Sequence, residues 1–320
     1  METDLKFAVL IDAENISDKY IKIILDETAN SGVATYKRIY GDWTSPQLAS
    51  WKSILLDNSI IPMQQYCYTS GKNSTDSAMI IDAMDILYSG TVDGFCIVSS
   101  DSDFTRLVAR LRESGMQVIG MGERKTPKPF ISACNQFKYL DILFANSEKA
   151  EKKKKEAQRK GAERKEAERR AAEKKERELE KKEQEKARKL QEAAEQPGTK
   201  KSRRAAAKAR NAKKENIHAA AVVSVTEQEM ETEEIRLQTE LAVIRQTIAS
   251  LVEKFSDEDG WVFSGKLGSQ LQKRVPDFDV RNFGYSKLTP FIESLGEYEI
   301  NRISRGNNQR LIYFRAKAEE

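Results

Sequence analysis

The chain has 320 residues, room for about two domains of ~150 residues each, and charged residues make up 32% of it, above the roughly 25% of an average soluble domain. The excess is local: residues 1–150 hold 15 Lys and Arg against 19 Asp and Glu, residues 151–216 hold 26 against 14, and residues 217–320 hold 13 against 17. Two mildly acidic ends flank a basic middle, so the formal charge of +4 does not make either end basic. No apolar run is long enough to span a bilayer, and METDLKFAVLIDAEN has no basic region followed by a long apolar stretch, so no secretory signal is expected. Cys67, Cys96 and Cys134 are widely spaced and fit neither a CxxC metal pattern nor a disulfide framework. A reducing, cytoplasmic setting is expected.

Residues 6–12, KFAVLID, form a short apolar run ending in an acid and predict a buried strand. The spacing predicts an amphipathic helix over 17–31 with Ser17 as its N-cap. A strand is predicted over 33–40, then a helix over 46–57 with Pro46 in its first turn. A short strand over 61–67 leads into the polar loop TSGKNST and a helix from Asp76 to about Ser89. A strand over 94–99, a helix over 103–114 closed by Gly115, and a strand over 116–121 follow. Residues 127–144 predict one or two short helices. Strands alternating with helices imply a parallel sheet with helices on both faces, and such sheets bind ligands at the carboxyl ends of their strands.

Residues 148–195 are almost entirely Glu, Lys, Arg, Gln and Ala. Pairs such as Glu151/Lys155 and Glu156/Lys160 set the acid four residues before the base, which supports an isolated helix. Leu179 and Leu190 stand nearly alone, so a lone charged helix of roughly 70 Å is expected rather than a coiled coil. Gln196-Pro197-Gly198 ends it, and the basic, Ala-rich 199–216 is expected to be disordered or weakly helical. From 232 onward Ile235, Leu241, Ile244, Ile248, Leu251 and Phe255 recur at helical spacing. Helices over 264–274 and 285–295 follow, and then EYEINRI and RLIYFR, two alternating strands joined by SRGNNQ. Three helices and a hairpin suggest a small winged-helix-type module. The expected domains are 1–147, 148–231 (a charged helical and basic flexible linker) and 232–320.

The acids at the predicted strand ends carry the chemistry. Asp12 ends VLID, Asp101 and Asp103 follow IVSS, and Asp76 opens a helix. Carboxylates gathered in one crevice repel unless a cation neutralises them. Oxygen ligands without thiolate or imidazole select Mg²⁺ or Mn²⁺, and such a metal can activate water and stabilise charge on a phosphodiester. Asp76 and Asp103 could each instead be a simple N-cap. Asp82, six residues beyond Asp76, falls on a different face of its helix, as a supporting acid behind the metal ligands or a solvated one. Asn15 is either a turn former or a group that orients water or phosphate. The only histidine is His218, so histidine general-base chemistry has no candidate in the first domain. No P-loop or GxGxxG follows a strand.

The set VLIDAEN, Lys72-Asn-Ser-Thr-Asp76 with Asp82, IVSSDSDF and TPKPFISACNQFKYL resembles the NYN domain of the LabA-like group, relatives of PIN nucleases, over residues 6–143. The resemblance implies a PIN-like fold and metal-dependent cleavage of RNA. It puts the family's first-strand acid on Asp12, its nearby Asn on Asn15, its helix acid on Asp76, its strand-end acids on Asp101 and Asp103, and a further recurrent acid on Asp82. The tail DGWVFSGKLGSQLQKRVPDFDVRNFGYSKLTPFIESL with EYEI and IYFR resembles the LOTUS or OST-HTH domain, which implies a winged-helix fold and association with RNA, G-rich RNA included. Candidate RNA contacts are Lys72, Arg106, Arg124, Lys125 and Lys128 in the first domain, with Tyr40 and Trp43 as stacking candidates, and Lys266, Lys273, Arg281, Tyr285 and Lys287 in the tail. The expected function is a metal-dependent ribonuclease, an RNA endonuclease targeted by its tail. The alternative is a non-catalytic RNA-binding adaptor whose acids are vestigial or hold a structural ion.

Overall fold

The computed structural model describes residues 4–66, 74–161, 163, 227–305 and 309–317. The chain forms two compact units, one of Met1–Lys149 with Glu234–Glu320 and one of Ala150–Glu233.

The first unit is built on a six-stranded sheet: β1 (Lys6–Asp12), β2 (Val33–Gly41), β3 (Ile61–Gln64), β4 (Gly94–Val98), β5 (Gln117–Gly122) and β6 (Gln136–Tyr139), in the order β3-β2-β1-β4-β5-β6. Every pairing is parallel. The apolar runs of β1 and β4 explain their central place, because a parallel strand covered on both faces must be apolar along its whole length. Phe7 to Asp12 and Gly94 to Val98 are all buried. The chain runs outward from β1 through β2 to β3, then returns to β4 and runs outward on the other side. The crevice between β1 and β4 is therefore the topological switch point, where α/β sheets place ligands. Ile11 lies opposite Val98, so Asp12 and Ser99 leave the two central strands side by side.

Helices cover both faces: α1 (Ile21–Ala29), α2 (Lys52–Asp57), α3 (Ser74–Ser89), α4 (Thr105–Glu113), α5 (Lys128–Ala133) and a helix over 140–161, α6. One core cluster joins Leu10, Phe95 and Phe137 of the sheet to Met79 of α3, Phe104, and Leu111 of α4. The other joins Val9, Ile11 and Val98 to Ile24 of α1, Trp51, and Leu140 of α6. Ser17 starts a 3-10 turn but makes no capping hydrogen bond, and the regular helix begins only at Ile21. Gly115, at φ +82°, closes α4 as expected of a residue free to take the left-handed conformation.

Residues 127–144 depart from expectation. Two helices are present, but β6 lies between them. Its side chains alternate, Phe137 and Tyr139 buried against partly exposed Gln136 and Lys138. Phe137 stacks edge-on against Phe130 and Tyr139, with ring centroids 6.0 and 5.2 Å away. Phe137→Ala is expected to cost about 3–5 kcal/mol, as for other buried aromatics. Urea unfolding checks this, and a loss under about 1 kcal/mol would place Phe137 outside the core.

The C-terminal module packs α7 (Glu227–Phe255), α8 (Ser264–Arg274) and α9 (Leu288–Leu295) against an antiparallel sheet of order β7-β9-β8, formed by β7 (Val262–Phe263), β8 (Tyr298–Arg305) and β9 (Gln309–Ala316). Ile248, Leu251, Leu271, Ile292 and Phe314 form its core. The expected hairpin is present, with Tyr298 opposite Ala316 and Arg305 opposite Gln309.

In the second unit, 150–161 and 163 are helical with exposed side chains, and Glu156 and Lys160 form the expected pair at 2.7 Å. The remainder of the predicted charged helix and the basic run 199–216 lie outside the described residues. Among the described residues no helix is long and apolar enough to cross a membrane.

Candidate functional site

Asp12 ends β1 almost fully buried. Its Oδ1 accepts from the backbone N–H groups of Glu14 and Asn15 at 3.1 and 3.3 Å. Its Oδ2 accepts from the Asn15 side-chain amide at 2.7 Å and from the Ser99 hydroxyl at 2.8 Å. Burial pushes the Asp12 carboxyl above its ordinary pKa, and these hydrogen bonds only partly offset that. Four donors fill the acceptor positions of a carboxylate. The Asn15 side chain thus helps to hold Asp12. Ser99 escaped the sequence analysis. Its buried hydroxyl also accepts from the Asp101 backbone N–H at 3.1 Å, so one side chain ties the end of β1 to the turn after β4. Its signal was its place, the first polar residue after GFCIV and two before Asp101.

Asp76, Asp101 and Asp103 each offer a carboxylate oxygen within 4.8 Å of the others. Asp12 is not part of that group. Asp76 sits in the first turn of α3. Asp101 caps the turn that opens α4, its Oδ1 accepting from the Asp103 N–H at 2.9 Å. The capping role considered for Asp103 thus falls on Asp101. Burial, and then the charges of Asp12, Asp101, Asp103 and Glu14, push the Asp76 carboxyl up to about 6. Glu14 also went unnoticed in the sequence; its Oε1 accepts from the Thr75 hydroxyl at 3.0 Å and the Asp42 N–H at 3.4 Å. Gly122 at the end of β5 makes the close packing possible. A Cβ there would meet the Ser99 carbonyl oxygen at 2.7 Å and Thr126 Oγ1 at 2.6 Å.

The donor set fits a hard divalent cation. It offers oxygen atoms alone, and burial together with the neighbouring like charges holds the Asp76 proton above the usual carboxylate range. That is the pattern Mg²⁺ or Mn²⁺ relieves.

Among the described residues Asp82 makes no hydrogen bond to this cluster. It accepts hydrogen bonds from Arg38 and from the Tyr40 hydroxyl, both on β2. Burial and then Asp82 raise the Tyr40 pKa, which keeps the phenol protonated as the donor. Asp82→Ala should cost about 1–3 kcal/mol by leaving Arg38 and Tyr40 unpaired and leave Mn²⁺ affinity unchanged. Parallel unfolding and Mn²⁺ titrations check it, and a tenfold loss of affinity would return Asp82 to the metal site. Tyr40 is buried and Trp43 donates its indole N–H to the Met63 carbonyl at 3.0 Å. Tyr40 therefore offers no stacking face, whereas Trp43 is only partly buried.

The basic candidates divide. Arg106 is exposed on the first turn of α4 and Lys128 is exposed on α5, whereas Arg124 is half-buried. Lys125 pairs with Glu123 at 2.8 Å. Lys72 lies outside the described residues. In the C-terminal module Lys273 and Lys287 are exposed, and the exposed Lys266 lies over the Phe255 ring at 4.9 Å. Two candidates are committed elsewhere. Tyr285 packs edge-on against core Phe291 at 5.6 Å. The Arg281 guanidinium donates to both oxygens of Glu27, at 2.6 and 2.9 Å, and to Asp279. An arginine saturated by two carboxylates is not available to phosphate.

Residues 6–141 match the NYN domain and residues 237–309 match the OST-HTH/LOTUS domain. Among solved structures, a protein of unknown function from Vibrio parahaemolyticus is similar at 21% identity with a TM-score of 0.38, covering 43% of this chain and 94% of its own. No curated protein matches. The match is to the NYN domain as a whole and does not single out the LabA-like group. The chain therefore carries an NYN domain with a PIN-like parallel sheet, followed by a C-terminal OST-HTH/LOTUS domain.

Proposed function

We propose that the protein is a metal-dependent ribonuclease of the LabA-like group, an endonuclease whose NYN domain cuts RNA that the LOTUS domain recruits. The observation that carries this is the cluster of Asp76, Asp101 and Asp103 at the switch point of the sheet. These three would hold Mg²⁺ or Mn²⁺, and the ion would supply activation of water and stabilisation of charge on the phosphodiester. Asp12 adds negative charge beside them, fixed in place by Asn15 and Ser99. Arg106, exposed one turn beyond Asp103, would receive the phosphate backbone. Lys128 and the exposed Lys266, Lys273 and Lys287 add backbone attraction that weakens with salt. Both folded ends are mildly acidic, so most long-range attraction must come from the basic segment between them. Substrates in this account are single-stranded or structured RNA, G-rich RNA among them, met in the cytoplasm.

Incubating the full chain with single-stranded and quadruplex-forming RNA tests the proposal. Products should appear with Mn²⁺ or Mg²⁺ and disappear with chelator. RNA binding that chelator leaves unchanged, with no products at any metal concentration, would instead establish a non-catalytic RNA-binding adaptor.

A further inference from the structure

The outer edge of β6 would expose unpaired backbone groups if nothing covered it, a liability folded proteins suppress. Here the Phe137 N–H, on that strand, donates to the Pro276 carbonyl of the C-terminal module at 2.8 Å. Two residues on, the Tyr139 hydroxyl donates to Asp277 at 2.8 Å. Between them Lys138 donates to Asp279 at 3.0 Å. Arg281 reaches back from the module and grips Glu27 of α1 through two hydrogen bonds.

The ion pairs cross reciprocally. The NYN domain contributes the acid Glu27 and the base Lys138; the module contributes the base Arg281 and the acid Asp279. Three of these side chains are only 9–13% exposed. A two-pronged arginine–carboxylate contact fixes orientation as well as attraction. Removing one member of so buried a set leaves its partner charged and unpaired. Burial raises the Asp279 carboxyl, but Arg281 and Lys138 outweigh it and hold it at about 2, so the pairing keeps its charge through the physiological range.

We propose that the LOTUS domain is a seated part of the NYN domain of its own chain, docked on the β6 edge through Glu27, Lys138, Asp279 and Arg281, and not a separate head on a tether. Docking then does not need the covalent link between the two domains. Combined with the ribonuclease reading, RNA held by the module reaches the acidic cluster in one fixed geometry; the docking itself does not depend on that reading.

The test is made on the full chain carrying a specific protease site within residues 164–226, cut after folding and passed over a sizing column at micromolar concentration. The two pieces should co-elute at the mass of one uncut chain. Glu27→Arg should make them elute separately while the uncut chain keeps the far-UV circular dichroism of wild type, and Arg281→Gln should do the same from the other side. Two variants, one in each domain, separate a broken interface from a misfolded domain. Wild-type pieces that elute separately, or at the mass of two chains, would overturn the proposal. So would Glu27→Arg and Arg281→Gln variants that co-elute as wild type does. No arm reads RNA cleavage, so failure of the nuclease proposal would show elsewhere.

Discussion

Asp101→Asn is expected to lower metal-dependent RNA cleavage at least about 100-fold, or about 2.7 kcal/mol in the barrier, without unfolding the protein. The substitution is informative because Asp101 has two tasks. Its Oδ1 caps the turn opening α4, and its charge belongs to the three-acid cluster. Asparagine caps as well as aspartate does, so the variant keeps the first task and removes the charge. Taking one charge out of a mutually repelling set should leave metal-free stability equal or slightly higher. The gain in melting temperature on adding Mn²⁺ should shrink. Thermal melts with and without Mn²⁺, run beside a cleavage assay, read both. Full cleavage by Asp101→Asn would mean that the activity is a contaminant or that the site lies elsewhere.

Stabilisation by Mn²⁺ should grow steeply between pH 5 and pH 7. Asp76 releases its proton near 6 in the folded protein against an ordinary value of 3.8, because of burial and then the neighbouring charges of Asp12, Asp101, Asp103 and Glu14. A folded-state value raised in this direction means that the native metal-free protein holds a proton that the unfolded chain has given up. The contribution of Asp76 to metal-free stability is therefore present below about pH 3.8 and is lost as pH rises through about 6. A bound cation reverses the balance, since it needs the carboxylate form. Below pH 6 each ion must displace about one proton, so affinity should rise about tenfold per pH unit and flatten above that range. Asp76→Asn should bind weakly with no such slope. A wild-type affinity that is flat from pH 5 to pH 7 would show that Asp76 does not ligate the ion.

Most of the sheet was legible because β1 and β4 advertise double-sided burial as continuous apolar runs, each with an acid just beyond. Helix ends were legible where one residue decides them, as at Gly115. What escaped depends on partners distant in the chain. β6 is four residues long, and QFKY reads as a strand only once β5 lies beside it. The tie of Asp82 to Arg38 spans 44 residues, and no local spacing in α3 reports it. The grip of Arg281 on Glu27 spans 254, so a basic residue in a likeness to an RNA-binding module looked like a phosphate contact. At the acidic cluster the residue types and strand ends could be read directly. The division of labour between them could not, because it rests on Ser99 and Asn15 both donating to Oδ2 of Asp12 and on the turn that makes Asp101 the cap.

The most direct measurement of the central claim is a titration of Mn²⁺ into the full chain at pH 7, with free Mn²⁺ followed by its paramagnetic resonance signal. Saturable binding is expected, weakened at least about tenfold in Asp76→Asn and in Asp101→Asn and unchanged in Asp82→Asn. Absence of saturable binding, or equal binding by all four proteins, would contradict a metal centre at the end of β1 and β4.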